Sequence, residues 1–179
     1  MTTSSPSIAQ GISQEPFALL FSDLEGELKT TRRILERVPD GKEDWRPHQK
    51  SMTLGALSSH LAQLPSFGIM ILTTDEFDGS KMPGFKAANT AERLKKFDEV
   101  GGELRRLLKS LTWEDATAAW TFKFGDRVMI EGERAKLLRL MVLAHTAHHR
   151  AQLGVYLRLL DVPVPGTYGP SADEPMPSR

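Results

Sequence analysis

Three of the five histidines in this 179-residue chain fall within five consecutive positions, in the sequence His145-Thr-Ala-His148-His149. Another, His60, lies far upstream on a separate apolar helical pattern. Histidine is the commonest side-chain ligand of metal ions, and two residues four positions apart lie on one face of a helix. This spacing therefore indicates a metal site between two packed helices.

Helical geometry distinguishes the inward-facing histidines from the others. At about 100° per residue, His145 and His149 fall inside the apolar stripe of the last predicted helix, whereas His148 falls towards its edge. His60 lies inside the apolar stripe of the second predicted helix. We predict His60, His145 and His149 as metal ligands and His148 as a flanking residue. Gln152 falls on the inward face and could hydrogen-bond a ligand, as residues around metal ligands commonly do.

Each histidine also has a structural alternative. A single buried imidazole is commonly hydrogen-bonded to a backbone carbonyl or a carboxylate, and leaving it unpaired costs roughly 1–3 kcal/mol. A shared metal would satisfy all three rings at once. Three neutral imidazoles with the remaining positions filled by water are typical of a catalytic rather than a closed structural site.

The composition argues against several classes of function. Lys plus Arg equals Asp plus Glu at 23 each, without the basic excess or stripe typical of nucleic-acid binding. The chain has no cysteine, which removes disulfides, thiolate nucleophiles and cysteine ligands to zinc. No signal-peptide pattern is evident, and no apolar run approaches the ~20 residues of a membrane span. We expect a cytoplasmic protein without nucleic-acid or membrane partners.

Four segments have the apolar spacing of amphipathic helices. The second contains Pro65, which predicts a kink or a break, and Thr90 is expected to cap the third. The predicted helices begin and end near Pro16 and Val38, Leu54 and Leu72, Thr90 and Leu111, and Glu133 and Leu160.

The segments around these helices complete the predicted architecture. Residues 1–14 are expected to be a flexible N-terminal tail, and residues 15–179 a single helical-bundle domain. Residues 74–90 are expected to be a long loop, and the period-two alternation within residues 120–130 predicts a short extended excursion before the last helix. The expected fold is all-α, a four-helix bundle with that excursion, in which facing helices build the metal site.

Three stretches of the sequence together resemble the DinB-like family, named for damage-inducible bacterial genes. They run from Asp44-Trp-Arg-Pro to His60, over His145-Thr-Ala-His-His149-Arg-Ala-Gln, and over residues 163–173. The resemblance implies a four-helix bundle, a homodimer, and a divalent metal, nickel or zinc, held by histidines that map onto His60, His145 and His149. Ala151 stands where the family often has glycine.

The resemblance leaves the reaction open. We predict a metal-dependent hydrolase acting on a small-molecule substrate. One alternative is a metal-dependent transferase that uses a low-molecular-weight thiol for detoxification, and another is a non-catalytic metal-binding protein of the stress response. The sequence assigns no general acid or base. Arg150 is expected on the solvent side of the last helix, while the loop at residues 74–90 and Tyr168 are expected to border the site.

Overall fold

The structure is a computed structural model that describes residues 16–176. The predicted flexible tail at residues 1–14 lies outside the described residues. Within the described part of the chain, no helix combines the length and the apolar character that crossing a membrane requires.

The helices follow the apolar spacing of the sequence, with interruptions. Pro65 occupies the first turn of a new helix and divides the predicted second helix in two, as a residue without a backbone N–H does. The predicted first helix is also divided, near Phe21. The bounds are α1 Pro16–Leu20, α2 Leu24–Leu35, α3 Leu54–Gln63, α4 Pro65–Thr73, α5 Thr90–Lys109, α6 Trp113–Thr117, α7 Arg134–Leu138 and α8 His145–Leu159.

A small sheet corrects the all-α prediction. Its strands are β1 Glu76–Asp78, β2 Ala119–Phe124 and β3 Arg127–Glu133. β2 and β3 form an antiparallel hairpin where the alternating residues predict an extended excursion, and β1 adds to β2 in parallel, with Phe77 beside Phe122. β1 lies inside the segment predicted to be a loop, because so short a strand shows no recognisable period-two pattern.

The helices pack as a bundle around one apolar core. α2 and α3 each contact both α5 and α8, and Leu61, Leu104 and Leu157 are fully buried between them. Trp120 attaches the sheet to this core, since its ring is fully buried and its Nε1 donates a hydrogen bond to Thr74 Oγ1 at 3.1 Å. Burying each such side chain contributes about 1.5–3 kcal/mol to the stability of the fold. The packed bundle therefore holds the residues between α3 and α8 in fixed positions.

The start of α5 differs from the prediction by one residue. Asn89, in extended backbone conformation, is the N-cap, and its side chain accepts a hydrogen bond from the Glu92 backbone N–H. Thr90, the predicted cap, instead donates its hydroxyl to the Val38 carbonyl. Thr90 therefore joins the start of α5 to the segment after α2.

A π-helical turn, Arg139–Ala144, joins α7 to α8. The His145 backbone N–H, which follows this turn, bonds the carbonyls of Leu140 and Val142 instead of the Met141 carbonyl four residues back. A π turn accommodates one more residue than an α-helical turn. It therefore changes the direction in which all later side chains point relative to α7.

This change of direction makes the prediction for Arg150 wrong. In a continuous α-helix Arg150 would lie about 120° around the axis from Leu138, and the extra residue in the π turn reduces this to about 20°. Leu138 and Arg150 consequently share a buried face, and each is 1% exposed. Leu159, an apolar residue after the turn, is exposed.

Candidate metal centre

The structure brings the three predicted ligands together between α3 and α8. His60 is on α3, while His145 and His149 are one turn apart at the start of α8. Each offers a ring nitrogen, and these atoms all lie within 4.8 Å of one another. The His60 ring centroid lies 5.2 Å from that of His145 and 4.6 Å from that of His149. His148 is exposed and outside this cluster, so its predicted flanking position matches the structure.

Hydrogen-bond partners assign the proton on His149. Its Nδ1 lies 2.7 Å from Gln152 Oε1, and an amide oxygen accepts but does not donate hydrogen bonds. The Nδ1 atom therefore carries the proton, and Nε2 presents its lone pair. Gln152 is more exposed than the helical geometry predicted, yet it contacts the expected ring.

His145 faces His149 within the cluster. Its Nε2 lies 2.8 Å from the Nε2 of His149, and the His149 atom presents its lone pair. Imidazole nitrogens are common metal ligands, so the residues fit a metal ion, and the three rings could hold one.

Burial keeps the three rings neutral. Desolvation, followed by the nearby His149 and His145, lowers the pKa of His60 to about 4. Desolvation is also the largest cause of the lowered pKa values of His145 and His149, and the hydrogen bonds to Met141 and Gln152 oppose it. Metal binding requires neutral imidazoles, so at neutral pH protons compete weakly for these nitrogens.

Aromatic side chains extend from one end of the cluster to the sheet. The buried Phe67 ring lies 6.4 Å from His145, and the Phe122 ring of β2 lies 6.3 Å from Phe67. Phe77 of β1 stacks on Phe122 at 6.4 Å. Phe77 of the predicted bordering loop thus lies two rings away from His145, and Ala87 of the same loop donates its backbone N–H to Ser59, the neighbour of His60.

Arg150 and Tyr168 form a separate cluster on the other side of α8. The Tyr168 ring covers the Arg150 guanidinium, whose carbon is 4.9 Å from the ring centroid, and its hydroxyl donates to Glu27 Oε2 at 3.0 Å. Arg150 is paired with the same carboxylate at 2.8 Å and donates to Thr31 Oγ1 at 3.0 Å. Tyr168, expected to border the metal site, instead lies exposed over a buried ion pair, Arg150 with Glu27, that sequence reasoning missed. The available signal was the pair Glu27 and Thr31, polar residues one turn apart on α2.

A helical bundle with three converging imidazoles defines the class of this protein. Residues 12–178 match the model of the DinB family. Because the match spans nearly the whole sequence, the chain belongs to the DinB family.

Individual relatives agree with this assignment. The chain is 24% identical over 151 residues to YrdA of Bacillus subtilis (strain 168), a protein named as uncharacterized, and the alignment covers 84% of this chain and 86% of YrdA. A DinB-like protein from Bacillus cereus ATCC 10987 matches with a TM-score of 0.66 and 21% identity, covering 83% of this chain and 95% of that chain. YjoA, a DinB-like protein from Bacillus subtilis, matches with a TM-score of 0.61 and 18% identity, covering 80% and 95%. These structures show a shared fold.

Proposed function

We propose that this chain binds one divalent metal ion through His60, His145 and His149 and acts as a metal-dependent hydrolase on a small-molecule substrate. The observation that carries the proposal is the convergence of three ring nitrogens, one from each histidine, within 4.8 Å of one another. Three protein ligands leave coordination positions for water and substrate, as in catalytic metal sites.

The chain's own residues would prepare this site in separate ways. Gln152 fixes the ring orientation of His149 through the hydrogen bond to its Nδ1. Burial keeps His60 neutral, and Phe67 excludes water from one side of the cluster. The bound metal supplies Lewis acidity, which polarises a substrate and lowers the pKa of water.

Nickel and zinc are the metals we propose. Imidazole nitrogen suits both, and resemblance to DinB-like proteins implies the same pair. Both metals have higher affinity for nitrogen ligands than Mn²⁺ has, so a competition series with these ions tests the proposal.

Thiol transfer is a second candidate for the same site. All three proposed ligands are neutral, so a bound divalent ion would keep its double positive charge and attract an anionic thiolate. A low-molecular-weight thiol held in an open position could then add to an electrophilic double bond in a detoxification reaction, forming a carbon–sulfur bond as the π bond breaks. The proton released by the thiol would pass to solvent, because the thiolate is the nucleophilic form, and solvent would return a proton to the product anion.

Metal content tests the site itself. Protein purified without a metal-affinity tag is expected to contain about one equivalent of metal by elemental analysis. His149→Ala should lose it, whereas His148→Ala is the matched control and should retain it, because His148 lies one position away but outside the cluster. Metal-free wild type after incubation with nickel and zinc would contradict the proposal.

Turnover distinguishes the reactions. Hydrolysis of model esters or phosphoesters, lost in His149→Ala and kept in His148→Ala, is the result expected for a hydrolase. Consumption of an electrophile only when a small thiol is supplied would replace hydrolysis with thiol transfer. If the loaded protein performs neither reaction and metal only raises its melting temperature, the metal has a stabilising role and both enzymatic proposals are wrong.

A further inference from the structure

We infer that a cavity lined by Gln63, Met70 and Lys96 is the substrate pocket of the proposed metal centre, and that it takes an apolar small molecule with one carboxylate. The inference rests on the proposed function and deepens it by naming the chemical class of the substrate. The cavity has a volume of about 420 Å³, which lies within the usual range of small-molecule pockets.

The cavity adjoins His60 along one side of α3 and α4. Gln63 follows His60 by one helical turn, about 4.5 Å along the axis, and it lines the cavity. Leu64, between the two helices, keeps helical backbone angles of φ −53° and ψ −37°, so Ser66 and Met70 continue the same winding. Gln63 and Met70 consequently lie about 60–80° around the axis from His60, on the same side. The cavity therefore begins one turn from a proposed metal ligand.

The opposite wall is formed by β1 and the segment that follows it, from which Phe77 and Phe85 line the cavity. This segment is attached to α3 at the position before His60, because the Ala87 backbone N–H donates to Ser59 Oγ at 3.1 Å. Ala87 is 1% exposed, so the attachment is buried. Both walls are thus fixed to the helix that carries His60, as expected of a preformed pocket.

The lining favours a ligand with an apolar body. The lining residues that the structure describes are apolar or glycine, apart from Gln63, Ser66 and Lys96. Transfer of apolar surface from water to such a lining is favourable. The amide of Gln63 and the hydroxyl of Ser66 add two side chains that can donate hydrogen bonds to an oxygen of the ligand.

Lys96 supplies the charge that selects a carboxylate. Its Nζ lies 6.0 Å from the centroid of the Phe85 ring, and Lys96 takes part in none of the ion pairs within residues 16–176. An ammonium group beside an apolar lining attracts an anion more strongly than it does in bulk water. Its single charge balances one carboxylate, whereas a phosphate monoester carries about −1.5 to −2 at neutral pH.

Binding of a naphthalene carboxylate to metal-free protein tests the pocket without a contribution from the metal. The methyl signals of Met70 and Met82, which line the cavity, should shift in NMR spectra, and that of Met129, exposed on β3, should not. The corresponding neutral carboxamide should bind about tenfold more weakly, because it lacks the charge-assisted hydrogen bond. Unshifted signals of Met70 and Met82, or equal affinities for the two probes, overturn the inference.

Variants of the lining test the assignment of each side chain. Lys96→Met should weaken binding of the carboxylate about tenfold and leave the carboxamide unchanged. Lys95→Met is the matched control, because Lys95 is the exposed neighbour that does not line the cavity. Ser66→Trp fills the cavity and should weaken both probes, with its folding checked by melting temperature.

Two results with these probes overturn the inference whether or not Ser66→Trp folds. One is an unchanged affinity of Lys96→Met for the carboxylate. The other is tighter binding of naphthyl phosphate than of the naphthalene carboxylate, which would replace the carboxylate with a phosphate as the preferred group.

Metal loading tests whether the pocket belongs to the metal centre. Paramagnetic Ni²⁺ should broaden the proton signals of the bound carboxylate relative to Zn²⁺, because the cavity begins one turn from His60. Equal line widths in the two loaded forms overturn the inference, and so does loaded wild type that does not bind the carboxylate. Wild type that binds the carboxylate but takes up neither ion would instead overturn the proposed function and leave a carboxylate pocket independent of metal.

Discussion

Gln152 contacts His149 from the solvent side, and its amide oxygen determines which ring nitrogen of His149 faces the cluster. Gln152→Leu removes this acceptor and leaves the three imidazoles in place. We expect metal affinity to fall about 10–100-fold, because partners that orient a metal ligand contribute on this scale. Calorimetric titration with Zn²⁺ measures the change.

Gln152→Glu is the control for this prediction, because a carboxylate oxygen also accepts a hydrogen bond from Nδ1. It is expected to restore most of the affinity that Gln152→Leu loses. Equal affinities for wild type and Gln152→Leu would show that His149 does not depend on this contact.

The sequence was sufficient to predict which histidines converge, and it was insufficient for their neighbour Arg150. His145 and His149 both follow the π turn, so their relative directions obey ordinary helical geometry. The direction of Arg150 was judged against apolar residues before the turn, including Leu138. No pattern in residues 139–144 indicates the extra residue of the π turn. That residue rotates the side chains after the turn relative to those before it.

Among the secondary-structure elements, α2 and α8 are joined by the ion pair between Glu27 and Arg150. The Arg150 side chain is 1% exposed and that of Glu27 is 13% exposed. Arg150→Met would leave the Glu27 carboxylate almost buried without its cation. Removing one partner of a buried pair costs about 3–5 kcal/mol, and we expect a loss of that order in the free energy of unfolding, measured with urea.

Arg139→Met is the matched control, because Arg139 pairs with Asp23 where both side chains are more than two-fifths exposed. Exposed pairs contribute about 0–1 kcal/mol, so this variant should unfold close to wild type. The double variant Glu27→Gln/Arg150→Met should recover part of the loss. Equal effects of Arg150→Met and Arg139→Met would contradict the assignment of Arg150 to the core.

Elements with a strong local signal were predictable, and elements that depend on distant partners were not. Pro65 indicated the division between α3 and α4 because its missing N–H acts locally. β1 exists because Phe77 pairs beside Phe122 of a strand far along the chain. The choice of Asn89 over Thr90 as the cap of α5 depends likewise on the Val38 carbonyl, which engages Thr90 from the segment after α2.

For the whole molecule, burial of His60 predicts acid sensitivity of the metal-free protein. The pKa of His60 is about 4 in the folded state, against 6.5 for an ordinary histidine. Between these values the unfolded chain binds more protons, so the free energy of unfolding decreases as the pH falls from about 6.5 towards 4. Urea unfolding of metal-free protein at pH 7, 6 and 5 should show this decrease.

His60→Asn removes one of three titrating rings and should reduce that dependence, while His145 and His149, whose pKa values burial also lowers, retain part of it. Paired carboxyl groups such as Asp23 and Glu25 contribute at lower pH, because their arginine partners lower their pKa values further below the ordinary 3.8 and 4.5. An equal decrease in the free energy of unfolding between pH 7 and 5 in wild type and His60→Asn would contradict the burial of a neutral His60.

The assembly and location of the molecule remain predictions of the sequence. Resemblance to DinB-like proteins implies a homodimer, which sedimentation equilibrium would detect as twice the 19.9 kDa mass of one chain. The predicted cytoplasmic location is tested by fractionating cells that produce the protein.

X-ray absorption at the metal edge tests the central proposal most directly. The sample is protein loaded with one equivalent of Ni²⁺ or Zn²⁺ after purification without a metal-affinity tag. We expect scattering from three imidazole ligands in wild type and from two in His60→Ala. A spectrum with fewer than three imidazoles in wild type, or one unchanged by His60→Ala, would contradict a metal centre shared by α3 and α8.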